Sequence, residues 1–138
     1  MLLIRNGTVI DPANAIEEPR DLLLRDGRIA AIAAPGSIAP DDARVIDAAH
    51  CWVVPGMIDM HVHLREPGYE YRETIATGAR SAAAGGFTAV ACMANTEPVN
   101  DSAAVTTAIV ESARKAALAR VFPIGAVSKG LLGEQLAE

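Results

Sequence analysis

The stretch Pro55-Gly56-Met57-Ile58-Asp59-Met60-His61-Val62-His63-Leu64-Arg65-Glu66-Pro67-Gly68 decides the fold. Its first half is apolar, its polar residues gather at the end, and Pro-Gly pairs bound it on both sides. That is the polarity of a central parallel strand whose C-terminal end opens on a site. On a strand, side chains alternate between faces, so His61 and His63 point one way and Val62 the other. Two imidazoles on one face can converge on one cation at the roughly 2.0–2.1 Å of a zinc–nitrogen bond. A His-x-His pair can also be two ordinary strand residues, but the placement at the polar end favours metal binding. Arg65 follows where strand gives way to loop, in position to hold an anion beside that metal. Asp59 precedes the pair on the same expected face. It either orients the ligands, touches the metal or pairs as a carboxylate inside the fold.

Downstream, strands alternate with helices. Leu64 to Glu73 reads as a loop rich in Pro, Gly and charge, and Thr74 caps a helix running to about Ala84, stopped by Gly85-Gly86. Phe87 to Met93 is a compact apolar strand, and Ala94 to Pro98 is its loop. Asp101 or Ser102 caps a second helix through about Ala119, with Val105, Ile109, Ala113 and Ala116 as its apolar stripe. Arg120 to Val127 gives a third strand, Ser128-Lys129-Gly130 a third loop, and Leu131 to Glu138 the opening of a helix. This alternation predicts an α/β fold with a parallel sheet, and its strand ends carry His61, His63, Arg65 and Asn95. Polar residues on one rim of such a sheet are how (β/α)8 barrels build active sites, yet only about three of eight units are present. The expected fold is therefore an incomplete (β/α)8 barrel, and the chain a fragment over residues 56–138 of its barrel part.

Upstream, residues 1–55 read as a small β unit. Leu2 to Arg5 and Thr8 to Ile10 flank Asn6-Gly7, a turn or bulge signal, and Ala13 to Arg20 reads as a polar loop. Leu22 to Arg25 and Arg28 to Ala33 flank Asp26-Gly27, a strong hairpin signal. Pro35-Gly36 and Pro40 mark a further loop, and Arg44 to Asp47 and Cys51 to Val54 two more strands. The unit has few large apolar side chains and needs partner strands to cover a face. His50 sits in a turn, remote from the other histidines, and is assigned a surface or structural role rather than that of a ligand.

The 138 residues are 51% apolar with a net charge of −5, enough for a core and the wrong sign for a nucleic-acid surface. The two cysteines, Cys51 and Cys92, show no Cys-x-x-Cys spacing, so a reducing cytoplasmic setting is expected. No apolar run approaches the roughly 18 residues of a membrane span, and Arg5-Asn6-Gly7 interrupts the N-terminus too early for a signal core.

The motif Asp59-Met60-His61-Val62-His63-Leu64-Arg65-Glu66-Pro67-Gly68 resembles the signature of dihydroorotases of the longer bacterial type, in the amidohydrolase superfamily. Gly85-Gly86-Phe87-Thr88 and Met93-Ala94-Asn95-Thr96 resemble the second barrel strand of that family and its loop, and the resemblance spans essentially the whole chain. It implies that residues 1–55 are the N-terminal part of a composite β-sandwich. It implies that His61 and His63 ligate zinc, one or two ions per complete site, and that Arg65 and Asn95 bind the substrate carboxylate. The implied reaction is reversible hydrolysis of the cyclic amide of dihydroorotate to N-carbamoyl-aspartate in pyrimidine synthesis. Zinc would activate water and polarise the amide carbonyl. A homodimer and a complex with aspartate transcarbamoylase are the assemblies it allows.

Two departures stand out. Ala94 replaces the proline usual in the family loop. The family's later ligands, its bridging carboxylate or modified lysine and its catalytic aspartate lie beyond this stretch, and neither Lys115 nor Lys129 matches a transferable motif. No catalytic general base is therefore expected within the chain, and two ligands fall short of the three usual at a catalytic zinc. The 138 residues alone are expected to be inactive. The alternatives are a related cyclic amidohydrolase of the allantoinase or dihydropyrimidinase type, and a non-catalytic dihydroorotase-like partner of aspartate transcarbamoylase.

Overall fold

A computed structural model describes residues 1–39 and 41–138, so the expected turn at Pro40 lies outside the described residues. The chain divides into two compact units, Met1–Pro55 and Gly56–Glu138.

In the first unit, β1 (Leu2–Asp11), β2 (Ile16–Arg25), β3 (Arg28–Ala33) and β4 (Arg44–Asp47) form a sheet in the order β3-β2-β1-β4, and β5 (Trp52–Val53) pairs in parallel with β1. Asn6-Gly7 is a bulge rather than a turn: β1 runs through it, and its register against β2 shifts between Ile4 and Gly7. A Cβ on Gly7 would lie 2.5 Å from Val53, so the bulge also depends on the missing side chain. The expected loop from Ala13 to Arg20 is corrected. Only the short 3-10 turn Pro12–Asn14 intervenes, and Ile16 to Arg20 extends β2 against the far half of β1. Glu17, Glu18 and Pro19 are poor strand formers, but β3 pairs only with Asp21 to Arg25. Pro19 therefore sits on an edge, where its missing N–H costs no ladder bond. Asp26 and Gly27 close the hairpin with φ of 51° and 72°.

Asp21 is fully buried. Its carboxylate accepts the N–H of Asn6 at 3.1 Å and of Gly36 at 2.8 Å, with Arg5 Nε at 3.7 Å. A buried carboxylate is tolerated only with such partners, and here it fastens a bulge to a loop.

In the second unit, β6 (Met57–Val62), β7 (Phe87–Cys92) and β8 (Arg120–Pro123) form a parallel sheet in that order, linked through α1 (Ile75–Ala84) and α2 (Ala103–Ala116). Thr74 caps α1: its Oγ1 accepts the Thr77 N–H, and Thr77 Oγ1 accepts the Thr74 N–H in return. Leu64, Ile75, Val90, Cys92, Ile109 and Ala113 make the core beneath the helices. On the opposite face Ile58, level with the buried Ala89, is 62% exposed and Phe122, level with Ala91, is 53% exposed.

Three boundaries differ from expectation. α2 ends at Ala116, because Ala117 takes a φ of 51° and returns its N–H to Ala113. β8 stops at Pro123, level with Cys92 at the end of β7, where the ladder has no further partner. No α-helix opens at Leu131: Gly130 and Gly133 have φ of 59° and 76°, and Ser128 bridges antiparallel to Leu136. The two glycines favour this left-handed path over a helix.

Candidate functional site

The site is built on the C-terminal ends of β6 and β7. Between Asp59 and Val62 the register advances three residues on β6 against two on β7, from Val90 to Cys92. This bulge corrects the expected placement of Asp59. Asp59 lies level with Val90 and Val62 level with Cys92, both buried under the helices, so Asp59 shares their face. By alternation the backbone aims His61 and His63, on either side of Val62, toward the other face, and His63 at the strand end also borders the cleft that Asp59 lines. The Asp59 carboxylate accepts the backbone N–H of His61 at 3.0 Å, which satisfies a donor that the bulge removes from the ladder. It also lines a cleft of about 380 Å³ between β6 and α1, together with Val62, His63, Glu73 and Ala82.

The two imidazoles are brought together, with ring centroids 5.2 Å apart and planes at 67°. Two imidazoles on one tetrahedral ion, each nitrogen about 2.0–2.1 Å from it, have centroids about 5 Å apart, so the pair fits a shared cation. His63 Nδ1 lies 2.9 Å from Asn95 Oδ1. An amide oxygen only accepts, so in this pairing Nδ1 carries the proton and Nε2 keeps a lone pair free for a ligand. Both rings are exposed. Among the described residues, no group of three or more His, Cys, Asp or Glu side chains gathers to complete a metal site. His50 is exposed in a turn of the other unit, with φ of 65°.

Arg65 and Asn95 sit on two loops that are joined. The Glu97 N–H donates to the Pro67 carbonyl at 3.0 Å, two residues after Asn95 and Arg65 respectively. Gly68, at φ of 100°, passes so close that a Cβ would meet the Glu97 carbonyl oxygen at 2.2 Å. Arg65 is half-buried at a φ of 64°, the centre of a tight turn in which Glu66 N–H reaches the Leu64 carbonyl at 2.8 Å. Its guanidinium offers a fork of donors suited to a carboxylate. Glu70 accepts the Gly68 N–H at 2.9 Å, and that bond holds its carboxyl below the usual range.

The Asn95 loop is held without the proline usual at position 94. The Ala94 carbonyl accepts from Thr96 N–H at 2.9 Å and Asn100 N–H at 3.0 Å, and Ala94 itself is buried. Asn100, 1% exposed, donates to the Ile124 carbonyl and accepts from Thr106, so it ties the loop to α2 and to the end of β8. Sequence reasoning passed over Asn100 and Glu66, since a lone Asn or Glu beside a turn carries no periodic signal. Glu73 is half-buried and accepts a bond from the Thr77 hydroxyl.

The family model described as dihydro-orotase-like matches residues 51–138. Over all 138 residues the chain is 57% identical to a dihydroorotase of Anaeromyxobacter dehalogenans strain 2CP-C, and covers 32% of that protein. It is 58% identical over 137 residues to a dihydroorotase of Syntrophotalea carbinolica, again covering 32% of it. Among solved structures, an L-hydantoinase (dihydropyrimidinase) from Arthrobacter aurescens superposes with a TM-score of 0.80 at 28% identity, over 96% of this chain and 29% of that one. Molinate hydrolase superposes with a TM-score of 0.67 at 25% identity, over 92% and 30% of the respective chains. The chain thus spans about a third of the length of the curated relatives it matches. On the family match across residues 51–138, the chain belongs to the dihydroorotase-like family.

Proposed function

We propose that this chain supplies the first metal ligands and the carboxylate-binding loops of a zinc-dependent dihydroorotase. The observation that carries the reading is the match of the whole chain, at 57% identity, to a protein named dihydroorotase. The reaction is the reversible opening of a cyclic amide: water adds at the carbonyl carbon, the ring C–N bond breaks, and N-carbamoyl-aspartate results. When bound, zinc supplies Lewis-acid polarisation and a water acidic enough to ionise near neutral pH.

In this reading His61 and His63 hold the ion through their exposed edges, and the 5.2 Å centroid separation supports the pairing. Asn95 has two tasks. Its Oδ1 fixes the His63 tautomer, and its Nδ2 remains to donate to the substrate carboxylate. Arg65 grips the same carboxylate bidentately. Asp59 orients the strand at His61 rather than touching the ion, as its bond to the His61 N–H supports.

The parallel unit is read as the opening of a (β/α)8 barrel. Its helices cover one face only, and Ile58 and Phe122 remain exposed on the other, where further strands would close around an interior. The first unit is read as part of a composite β-sandwich. Among the described residues no helix is long and apolar enough to cross a membrane.

A second reading, a hydantoinase or dihydropyrimidinase, is favoured by the superposition at a TM-score of 0.80. Arg65 favours the first, because an uncharged ring lacks the carboxylate that a guanidinium pairs with bidentately. The test is turnover by the full-length, zinc-loaded protein. Dihydroorotate should be hydrolysed and N-carbamoyl-aspartate recyclised. Turnover of hydantoin or dihydrouracil without dihydroorotate would overturn the first reading in favour of the second.

A further inference from the structure

The tight turn at Arg65 is held from outside by its neighbour. Glu66 sends its two carboxylate oxygens to two different helices: Oε2 accepts the N–H of Ile75, the first residue of α1, at 2.8 Å, and Oε1 accepts the Ser112 hydroxyl in the middle of α2, at 2.8 Å. Both bonds are partly shielded from solvent, and Ile75 is 1% exposed. The first bond also places a negative charge at a helix N-terminus, where unpaired N–H groups and the dipole favour it. Charge-assisted bonds of this kind are the stronger ones, and two of them from one side chain fix its backbone as well.

The backbone so fixed is that of Glu66, the residue next to Arg65. A non-glycine residue at φ of 64° persists only where its surroundings over-determine it. The local bonds here, Glu66 N–H to Leu64 carbonyl and Tyr69 N–H to Arg65 carbonyl at 2.9 Å, shape the turn but do not anchor it to the sheet and helices. Glu66 does. The Ser112 bond spans 46 residues, and among the described residues Ser112 touches nothing of the metal pair or of Asn95 by hydrogen bond.

We infer that Glu66, held by Ser112, is a positioning residue that sets where the Arg65 guanidinium meets the substrate carboxylate. The inference rests on the dihydroorotase reading, since it needs an anionic substrate at Arg65. It assigns α2, through Ser112, a part in substrate affinity that the family match does not assign.

The test uses full-length, zinc-loaded protein with Ser112→Ala, Ser112→Thr and Glu66→Gln. Ser112→Ala removes one bond and leaves the helix intact. It should raise KM for dihydroorotate about tenfold, the worth of one charge-assisted bond, with kcat and zinc content within twofold of wild type. Ser112→Thr keeps the hydroxyl and should restore KM. Glu66→Gln cannot accept from both partners with full charge and should raise KM further. A wild-type protein that does not turn over dihydroorotate overturns the functional reading and this inference with it. An active wild type whose KM is unchanged in Ser112→Ala and Glu66→Gln overturns this inference alone. So does a fall in zinc content that parallels the loss of activity, because the carboxylate would then be supporting the metal site and not Arg65.

Discussion

Asn95 Oδ1 and His63 Nδ1 stand 2.9 Å apart, so a residue read from sequence as a substrate contact also bears on a proposed metal ligand. Groups that orient a ligating imidazole typically contribute 10–100-fold to metal affinity. Asn95→Ala removes both roles and should weaken zinc binding by about tenfold in the full-length protein while raising KM. Asn95→Asp keeps an acceptor for His63 but opposes the substrate carboxylate, so it should retain zinc and lose substrate. Competition of the protein against a chromogenic chelator, alongside KM, separates the two. If Asn95→Ala holds zinc as tightly as wild type, the bond to His63 is incidental.

Arg65 makes a sharper case. Arg65→Gln keeps a polar side chain but removes the charge and the two-pronged geometry. Dihydroorotate turnover should fall below detection while zinc content per chain stays the same. Unchanged turnover would remove Arg65 from the site.

Much of the second unit was legible because its signals are periodic or local. Thr74 as cap, Gly85 as stop and the stripe of Val105, Ile109 and Ala113 each depend on a few neighbours, and each falls where the sequence predicts. The errors came from pairing at a distance. Glu17 to Arg20 looks like a loop until β1 is available as a partner, and Leu131 to Glu138 like a helix until Ser128 meets Leu136. The face of Asp59 was misread for the same reason. A bulge is a property of two strands, and no residue in Asp59-Met60-His61 announces it. The His61–His63 pair was legible because its members stand at i and i+2 on either side of Val62, a spacing that brings the ring centroids within 5.2 Å of each other.

Gly68 should tolerate no side chain. A Cβ there lies 2.2 Å from the Glu97 carbonyl oxygen, a backbone atom that cannot rotate away, and φ is 100°. Overpacking and the left-handed penalty together put the cost of Gly68→Ala at about 3 kcal/mol. Gly27→Ala, with φ of 72° and nothing within 4 Å of its Cβ, carries the conformational penalty alone, about 1 kcal/mol. Urea unfolding midpoints of the two variants should differ in that order, and equal shifts would mean that the two loops move apart easily.

Asp47 offers a test of the first unit at low pH. Its carboxylate accepts the Asn6 amide at 2.9 Å and the Ala49 N–H at 3.1 Å, and these bonds, the Asn6 one foremost, hold its pKa below the ordinary value. A depressed folded pKa gives a stabilisation that is present above the unfolded value of about 3.9 and is lost as pH falls through the folded one. Asn6→Gly keeps the left-handed φ of 64° and removes the amide. In a carboxyl NMR titration, Asp47 should then titrate closer to an ordinary aspartate. A titration curve that does not move would place the cause in the Ala49 bond.

The two cysteines should separate cleanly by reactivity. Cys51 is exposed, whereas Cys92 is 4% exposed in the core between β7 and the helices. Burial pushes the Cys92 thiol up from its ordinary pKa, so the reactive thiolate is scarce at neutral pH even where a reagent could reach it. Under native conditions a thiol reagent such as DTNB should modify Cys51 rapidly and Cys92 only as fast as the second unit opens. Denaturant should then release the second equivalent. Cys92 is level with Val62 on β6 and its carbonyl accepts from Ile124, so its rate reports the opening of the sheet that presents His63. Cys92 labelling as fast as Cys51 labelling would show that this sheet is not closed over its core in solution.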